Sequence, residues 1–143
     1  MEVQRKTFFA SAQEAETAFY DARNRGDIEG MMAVWADEDD IVCILVGCQR
    51  ASGYEAVREA WRRSFAAAHA DVRIGNALII QGALQAIHSV HETVTVAGER
   101  QPRPLLAVTN VYARGPLGWH MVLHHASPLP AAHDVGDAPK ILH

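Results

Sequence analysis

The sequence predicts an α+β domain: three helices followed by a run of antiparallel strands. Apolar residues recur at helical spacing through the first half of the chain. After Ala70 the period changes to about two and stays there. The turns between the later apolar runs are short, and short turns pair strands antiparallel. A length of 143 residues fits one domain with a core of its own. We place that domain at 1–143, with its core at about 11–130 and an extended tail at 131–143. Pro128, Pro130 and Pro139 argue against regular structure in the tail.

Residues 1–10 read as an irregular arm. Ser11 and Glu14 form a capping box, in which each side chain meets the other's end of the first turn. Ala15, Ala18, Phe19 and Ala22 then make the inner stripe of a first helix. Gly26 ends it, because glycine takes the left-handed cap at least cost. Asp27 caps a second helix, whose stripe is Ile28, Met31, Met32 and Trp35. Ile41 to Val46 is an uninterrupted apolar run of strand length, the pattern of a strand covered on both faces. Gly47 to Ser52 reads as a loop. Ser52 and Glu55 form a second capping box, and Val57, Ala60, Trp61, Phe65 and Ala68 line a third helix. Val72–Ile80, Gln85–Val96, Leu105–Arg114 and Trp119–Ser127 are the four later strands. A curved sheet with helices on one face leaves a concave space between them, a natural ligand site.

Composition narrows the function. A net charge of −4 with no basic stripe argues against nucleic acid as a partner. No apolar run approaches the roughly 20 residues of a membrane span. The start of the chain lacks a continuous apolar signal segment. Cys43 and Cys48 are too few and too close for a disulfide framework, so a reducing, cytoplasmic setting is expected.

Three stretches carry a family resemblance: AFYDARNRGDIEGMMAVWADEDDIVCILVG from Ala18, SGYEAVREAWRRSF from Ser52, and GWHMVLHHASPLP from Gly118. Together with the order of elements, they resemble the nuclear transport factor 2-like superfamily, and within it the SnoaL-like and ketosteroid isomerase-like group. The resemblance covers about residues 11–130. It implies a cone in which a curved antiparallel sheet wraps around three N-terminal helices. It also implies a homodimer formed through the outer face of the sheet. Function is not fixed by it, since the superfamily holds isomerases, cyclases, dehydratases, hydrolases and proteins that only bind or assemble. The isomerase base would fall at Ile44, which cannot titrate, and the His-Pro pair of related strands is missing. The isomerase tyrosine would fall near Phe19, with Tyr20 pointing elsewhere on the helix. The second oxyanion-hole acid would fall near Asn110. An isomerase needs a base and donors to hold the enolate, so classical ketosteroid isomerase activity is rejected.

Candidate chemistry then lies on the later strands. Alternation sets His88 and Glu92 on the apolar, inward face of Gln85–Val96. Glu92 is either an acid/base group or a carboxylate bound to a helix residue or an arginine. On Trp119–Ser127 the same rule sets His125 and Ser127 inward, beside the cavity, and His124 outward. Glu92, His125 and His88 are thus the candidate proton carriers. Asn110, Trp35, Phe19, Trp61 and Ser127 are the candidate ligand-binding residues. No metal is expected. His88 and His91 face opposite sides of a strand, and no cysteine–histidine spacing fits a zinc site. The acidic run Asp37–Asp40 reads as a solvated turn, with one carboxylate capping or pairing with an arginine such as Arg62 or Arg63.

Two functions compete. The first is a cofactor-independent acid/base enzyme, of isomerase, cyclase or hydrolase type, acting on a small hydrophobic carbonyl compound. The second is a non-catalytic binding or assembly protein with the same pocket. Polar residues on faces that should be buried favour the first, and the lost isomerase base favours the second.

Overall fold

The computed structural model describes residues 6–130. The expected tail at 131–143 lies outside them. Three helices come first or are interleaved with two short strands: α1 (Ala12–Arg25), α2 (Ile28–Val34), β1 (Val42–Ile44), β2 (Ala51–Ser52) and α3 (Tyr54–Ala67). Four long strands follow: β3 (Ala70–Gln81), β4 (Gln85–Val96), β5 (Leu106–Gly115) and β6 (Gly118–Pro128). They form one six-stranded sheet in the order β2-β1-β6-β5-β4-β3. All neighbours run antiparallel except β1 and β6, which are parallel. The sheet is therefore mixed rather than wholly antiparallel. No hairpin connects β1 to β6, so nothing obliges that pair to reverse direction.

Local chemistry explains the helix ends. Ser11 Oγ accepts from the Glu14 amide at 3.1 Å, and Glu14 reaches back to the Ala10 amide at 3.4 Å. Gly26 closes α1 with φ of 63°, in the left-handed region that glycine enters without strain. Asp27 caps α2 by accepting from the Gly30 amide at 3.0 Å. The second capping box does not form. Gly53 is the N-cap of α3, and it has no side chain to cap with. Ser52 instead pairs with Val42, because the expected loop contains a short β1–β2 hairpin.

The core lies between the helices and the concave face of the sheet. Phe19, Met31, Trp35, Ile41, Trp61 and Met121 are wholly buried there. Burying large apolar side chains is the dominant favourable term in folding such a domain, about 1.5–3 kcal/mol each. Inward-facing positions on β4 alternate as expected: Ala86, His88, Val90 and Glu92 are buried. On β6 the alternation breaks. Val111 pairs with Leu123, but Tyr112 pairs with Met121, so Val122 is an extra residue in the ladder. Trp119 and Met121 face inward before this bulge, and His124 and Ala126 face inward after it. The expected inward positions of His125 and Ser127 are thus overturned. Both are exposed, and His124 is buried instead.

The arm at residues 6–10 packs on the start of β6. Phe9 bridges Gly118, its carbonyl accepts from the Trp119 amide at 2.9 Å, and the Thr7 carbonyl meets His120 Nε2 at 2.7 Å. Gly118 has φ of 90°, and a Cβ there would collide with the Phe9 carbonyl oxygen. Gly118→Ala should therefore lower unfolding stability by about 1–3 kcal/mol in urea titration. An unchanged midpoint would show that the arm does not lock this corner.

Candidate functional site

The buried polar groups of α1 and the sheet form one chain of hydrogen bonds. Tyr20 and Arg23 lie one turn apart on α1, so both side chains reach the same strand. Tyr20 Oη donates to Glu92 Oε2 at 2.7 Å, and Arg23 Nη1 donates to Glu92 Oε1 at 2.8 Å. Both oxygens of this wholly buried carboxylate are thereby engaged. Asn110 Nδ2 donates to Tyr20 Oη at 2.9 Å, and Asn110 Oδ1 lies 2.6 Å from His124 Nδ1. The amide of Asn110 is committed as a donor to Tyr20, so its oxygen must accept. The proton of His124 therefore sits on Nδ1, and Nε2 keeps its lone pair.

The electrostatics agree with this assignment. Burial drives the His124 pKa well below the usual histidine value, and the charge of Arg23 adds to the shift. Burial and then the Glu92 carboxylate push the Tyr20 hydroxyl far above its ordinary pKa, so it stays a donor. Cys43 pairs with His124 across β1 and β6, and burial pushes its thiol up to about 12. It is a small buried apolar residue in practice.

His88 belongs to a separate contact. Its Nδ1 lies 2.9 Å from Glu16 Oε2, and its ring packs against Tyr112 at 5.0 Å between centroids. His88 Nε2, Tyr112 Oη and His124 Nε2 are buried without a partner among the described residues. Phe19 and Trp61 cover the His124 ring at 5.1 and 5.6 Å.

A cavity of about 880 Å³ opens between α3 and the ends of the long strands. Leu45, Ala60, Val94, Leu106 and Ala126 supply apolar wall. Arg23 is the one member of the hydrogen-bonded chain that lines it. Its side chain is 13% exposed, and its guanidinium carbon sits 5.3 Å from the centre of the Trp61 ring. A second hollow of about 670 Å³ lies at the other end, beside Lys6, Met32, Tyr54 and His120. Lys6 is already engaged there, donating to the Met32 carbonyl at 2.8 Å while lying over Tyr54.

Glu92, His88 and Asn110 are buried on the inner face, and Phe19, Trp35 and Trp61 are core residues. None of these six lines the larger cavity. Tyr20 does not point away. It is 7% exposed and sits at the centre of the chain. Arg23 was missed, although one signal marks it: it follows Phe19 by four residues, at the edge of the buried stripe, opposite a lone buried Glu92. The expected pairing of the acidic turn with Arg62 or Arg63 is replaced by Glu59, which holds both arginines at 2.7 and 2.9 Å. Asp37–Asp40 remain exposed to solvent. Among the described residues no group of three or more His, Cys, Asp or Glu side chains is placed to hold a metal. No described helix is long and apolar enough to cross a membrane.

The helices, the single sheet and the cavity between them define a nuclear transport factor 2-like cone. Residues 13–132 match the SnoaL-like domain, and the chain belongs to that family. A protein from Thiobacillus denitrificans, assigned by name as a calcium/calmodulin-dependent protein kinase type II association domain, is 40% identical. Its structure aligns with a TM-score of 0.77 over 86% of this chain and 98% of its own. A protein from Streptomyces avermitilis, named as a dehydratase of the same superfamily, is 28% identical, with a TM-score of 0.74 over 82% and 92% of the two chains. A protein from Caulobacter vibrioides with a cystatin-like fold aligns at 0.74 over 90% and 93%, and at 16% identity it speaks for the fold alone. No curated protein matches the sequence.

The neutral, buried His124 gives a pH dependence with a definite sign. Its folded pKa lies below the unfolded value of about 6.5, so on acidification the unfolded chain takes up this proton first. Its contribution is fully present above about pH 6.5 and is lost progressively as the pH falls from there toward the folded pKa. Wild type should lose roughly 1–2 kcal/mol more than His124→Gln between pH 7 and pH 5, read by urea unfolding. Equal losses in the two proteins would refute a neutral buried imidazole.

Proposed function

We propose that this SnoaL-like protein binds a small, largely apolar molecule in the 880 Å³ cavity and does not turn it over by acid/base chemistry. One observation carries the reading: the buried groups of the hydrogen-bonded chain that could move protons are saturated or sealed away from the cavity. Glu92 has both oxygens bound, and His124 lies behind Phe19 and Trp61. A general base must come within about 2.6–3.2 Å of the proton it takes, or reach it through one water. Neither residue lines the space where a ligand would sit. Cyclic ketones, lactones and small acids should shift the methyl resonances of Leu45, Val94 and Leu106 without being consumed. Turnover of any of them that Glu92→Gln abolishes, with binding retained, would restore the enzyme reading.

We also propose that two copies associate through the outer face of the sheet. Leu78, Ile80, Ile87, Val111 and Leu123 point outward there among threonines and serines, and Leu78 and Ile80 are well over half exposed. Exposed apolar surface of this kind marks interaction sites. The Thiobacillus relative's name as an association domain is consistent with a chain that assembles. Light scattering on the purified protein should give twice the chain mass at micromolar concentration. Leu78→Lys combined with Ile80→Lys should give one chain mass. A wild-type monomer would end the proposal.

A further inference from the structure

We infer that the ligand of this cavity is an organic monoanion, a carboxylate on a compact apolar body, and that Arg23 receives it. The inference rests on the reading of the cavity as a binding site. A guanidinium carries five N–H donors in a fixed plane. Among the described residues, the Arg23 guanidinium makes one hydrogen bond, from Nη1 to Glu92. None of its nitrogens is among the buried polar atoms left without a partner, so the remaining donors open toward the space that Arg23 lines. Glu92 on one side and the Trp61 ring against the guanidinium hold its plane in place. Among the described residues nothing bonds to the edge formed by Nε and Nη2. That edge matches the two oxygens of a carboxylate, the pairing for which arginine is suited and lysine is not.

The charge around the cavity points the same way. Its lining includes Arg23, Arg50, Arg63 and Arg103 but only one carboxylate, Glu59, a local balance of four minus one, or +3. From outside the lining, Glu92 and Glu99 pair with Arg23 and Arg103 while Arg62 pairs with Glu59, which leaves the balance at +2. This positive pocket sits in a chain of net charge −4. A phosphate dianion would bring a second negative charge up to the nearby Glu92 carboxylate, so a monoanion fits beside Arg23 better. The walls of Leu45, Val94, Leu106 and Ala126 then take the apolar body.

Wild-type protein titrated with hexanoate, hexanamide and inorganic phosphate, followed by methyl NMR, tests this. Hexanoate should shift Leu45, Val94 and Leu106 and bind more weakly as salt rises. Hexanamide should bind roughly tenfold more weakly or not measurably, and phosphate should leave these methyls unmoved. Arg23→Lys keeps a cation beside Glu92 but removes the fork. It should weaken hexanoate by roughly tenfold and leave hexanamide unchanged. Equal binding of acid and amide to wild type would overturn the anion inference while leaving the cavity as a binding site. Phosphate displacing hexanoate from the same methyls would replace the monoanion by a phosphate-type ligand. No shift with any of the three would overturn the inference. The wider fragment panel would then decide whether the cavity binds at all. The acid-against-amide comparison uses wild type alone, so it stands even if the Arg23→Lys protein does not fold.

Discussion

A carboxylate in the centre of the core is the constraint on which the rest of this structure depends. Glu92 is wholly buried, and an unpaired buried charge would cost several kcal/mol. Tyr20 and Arg23 both come from α1, so satisfying Glu92 fixes how that helix sits on the sheet, in rotation as well as distance. The requirement then passes on. The Tyr20 oxygen, having donated to Glu92, accepts from Asn110, and the Asn110 oxygen accepts from His124. One helix and three strands are thus joined by four hydrogen bonds that all run toward the same negative charge. Such a chain is specific because each member's donor or acceptor role is set by its neighbour.

Much of this fold was legible in the sequence, for identifiable reasons. Ser11, Gly26 and Asp27 act through contacts within a few residues, and local contacts are what local patterns encode. The strand Gln85–Val96 has clean alternation and two turn-flanked ends, and it was located to the residue. Gly53 displaced the expected Ser52 cap because β2 claims Ser52 for a ladder with β1. That competition is tertiary, and no window around Ser52 contains it. The expected six-residue strand at Ile41–Val46 is cut to Val42–Ile44 because only those residues find partners on β6 and β2.

The site was read less well, and the bulge at Val122 accounts for much of the error. A single extra residue inverts every later position of a strand. Counting alternate residues from Trp119 sends His125 inward, and with the bulge it is His124. Nothing in WHMVLHHAS announces the extra residue, because apolar and histidine side chains occupy both parities on either side of it. Tyr20 was assigned away from the site for a different reason. The resemblance puts an isomerase-type tyrosine near Phe19, and on an ideal helix the adjacent position points about 100° away. Phe19 and Tyr20 are both buried, since the inner face of α1 is wide enough to admit adjacent residues where the helix meets the curved sheet.

Arg23 connects structure to function because it belongs to both sides of one boundary. Its Nη1 donates to Glu92 in the core, and its side chain lines the cavity. Removing protons from such a pair has little chemical use, since arginine does not deprotonate and Glu92 is doubly bound. The same pair is well suited to holding a fixed positive edge against a ligand, because Glu92 and Trp61 prevent the guanidinium from turning. A preorganised group loses less freedom on binding and so returns more of its interaction as affinity. In the binding reading, Tyr20, Glu92, Asn110 and His124 act as the support for one arginine. Their burial, a liability for catalysis, is what keeps that arginine in place.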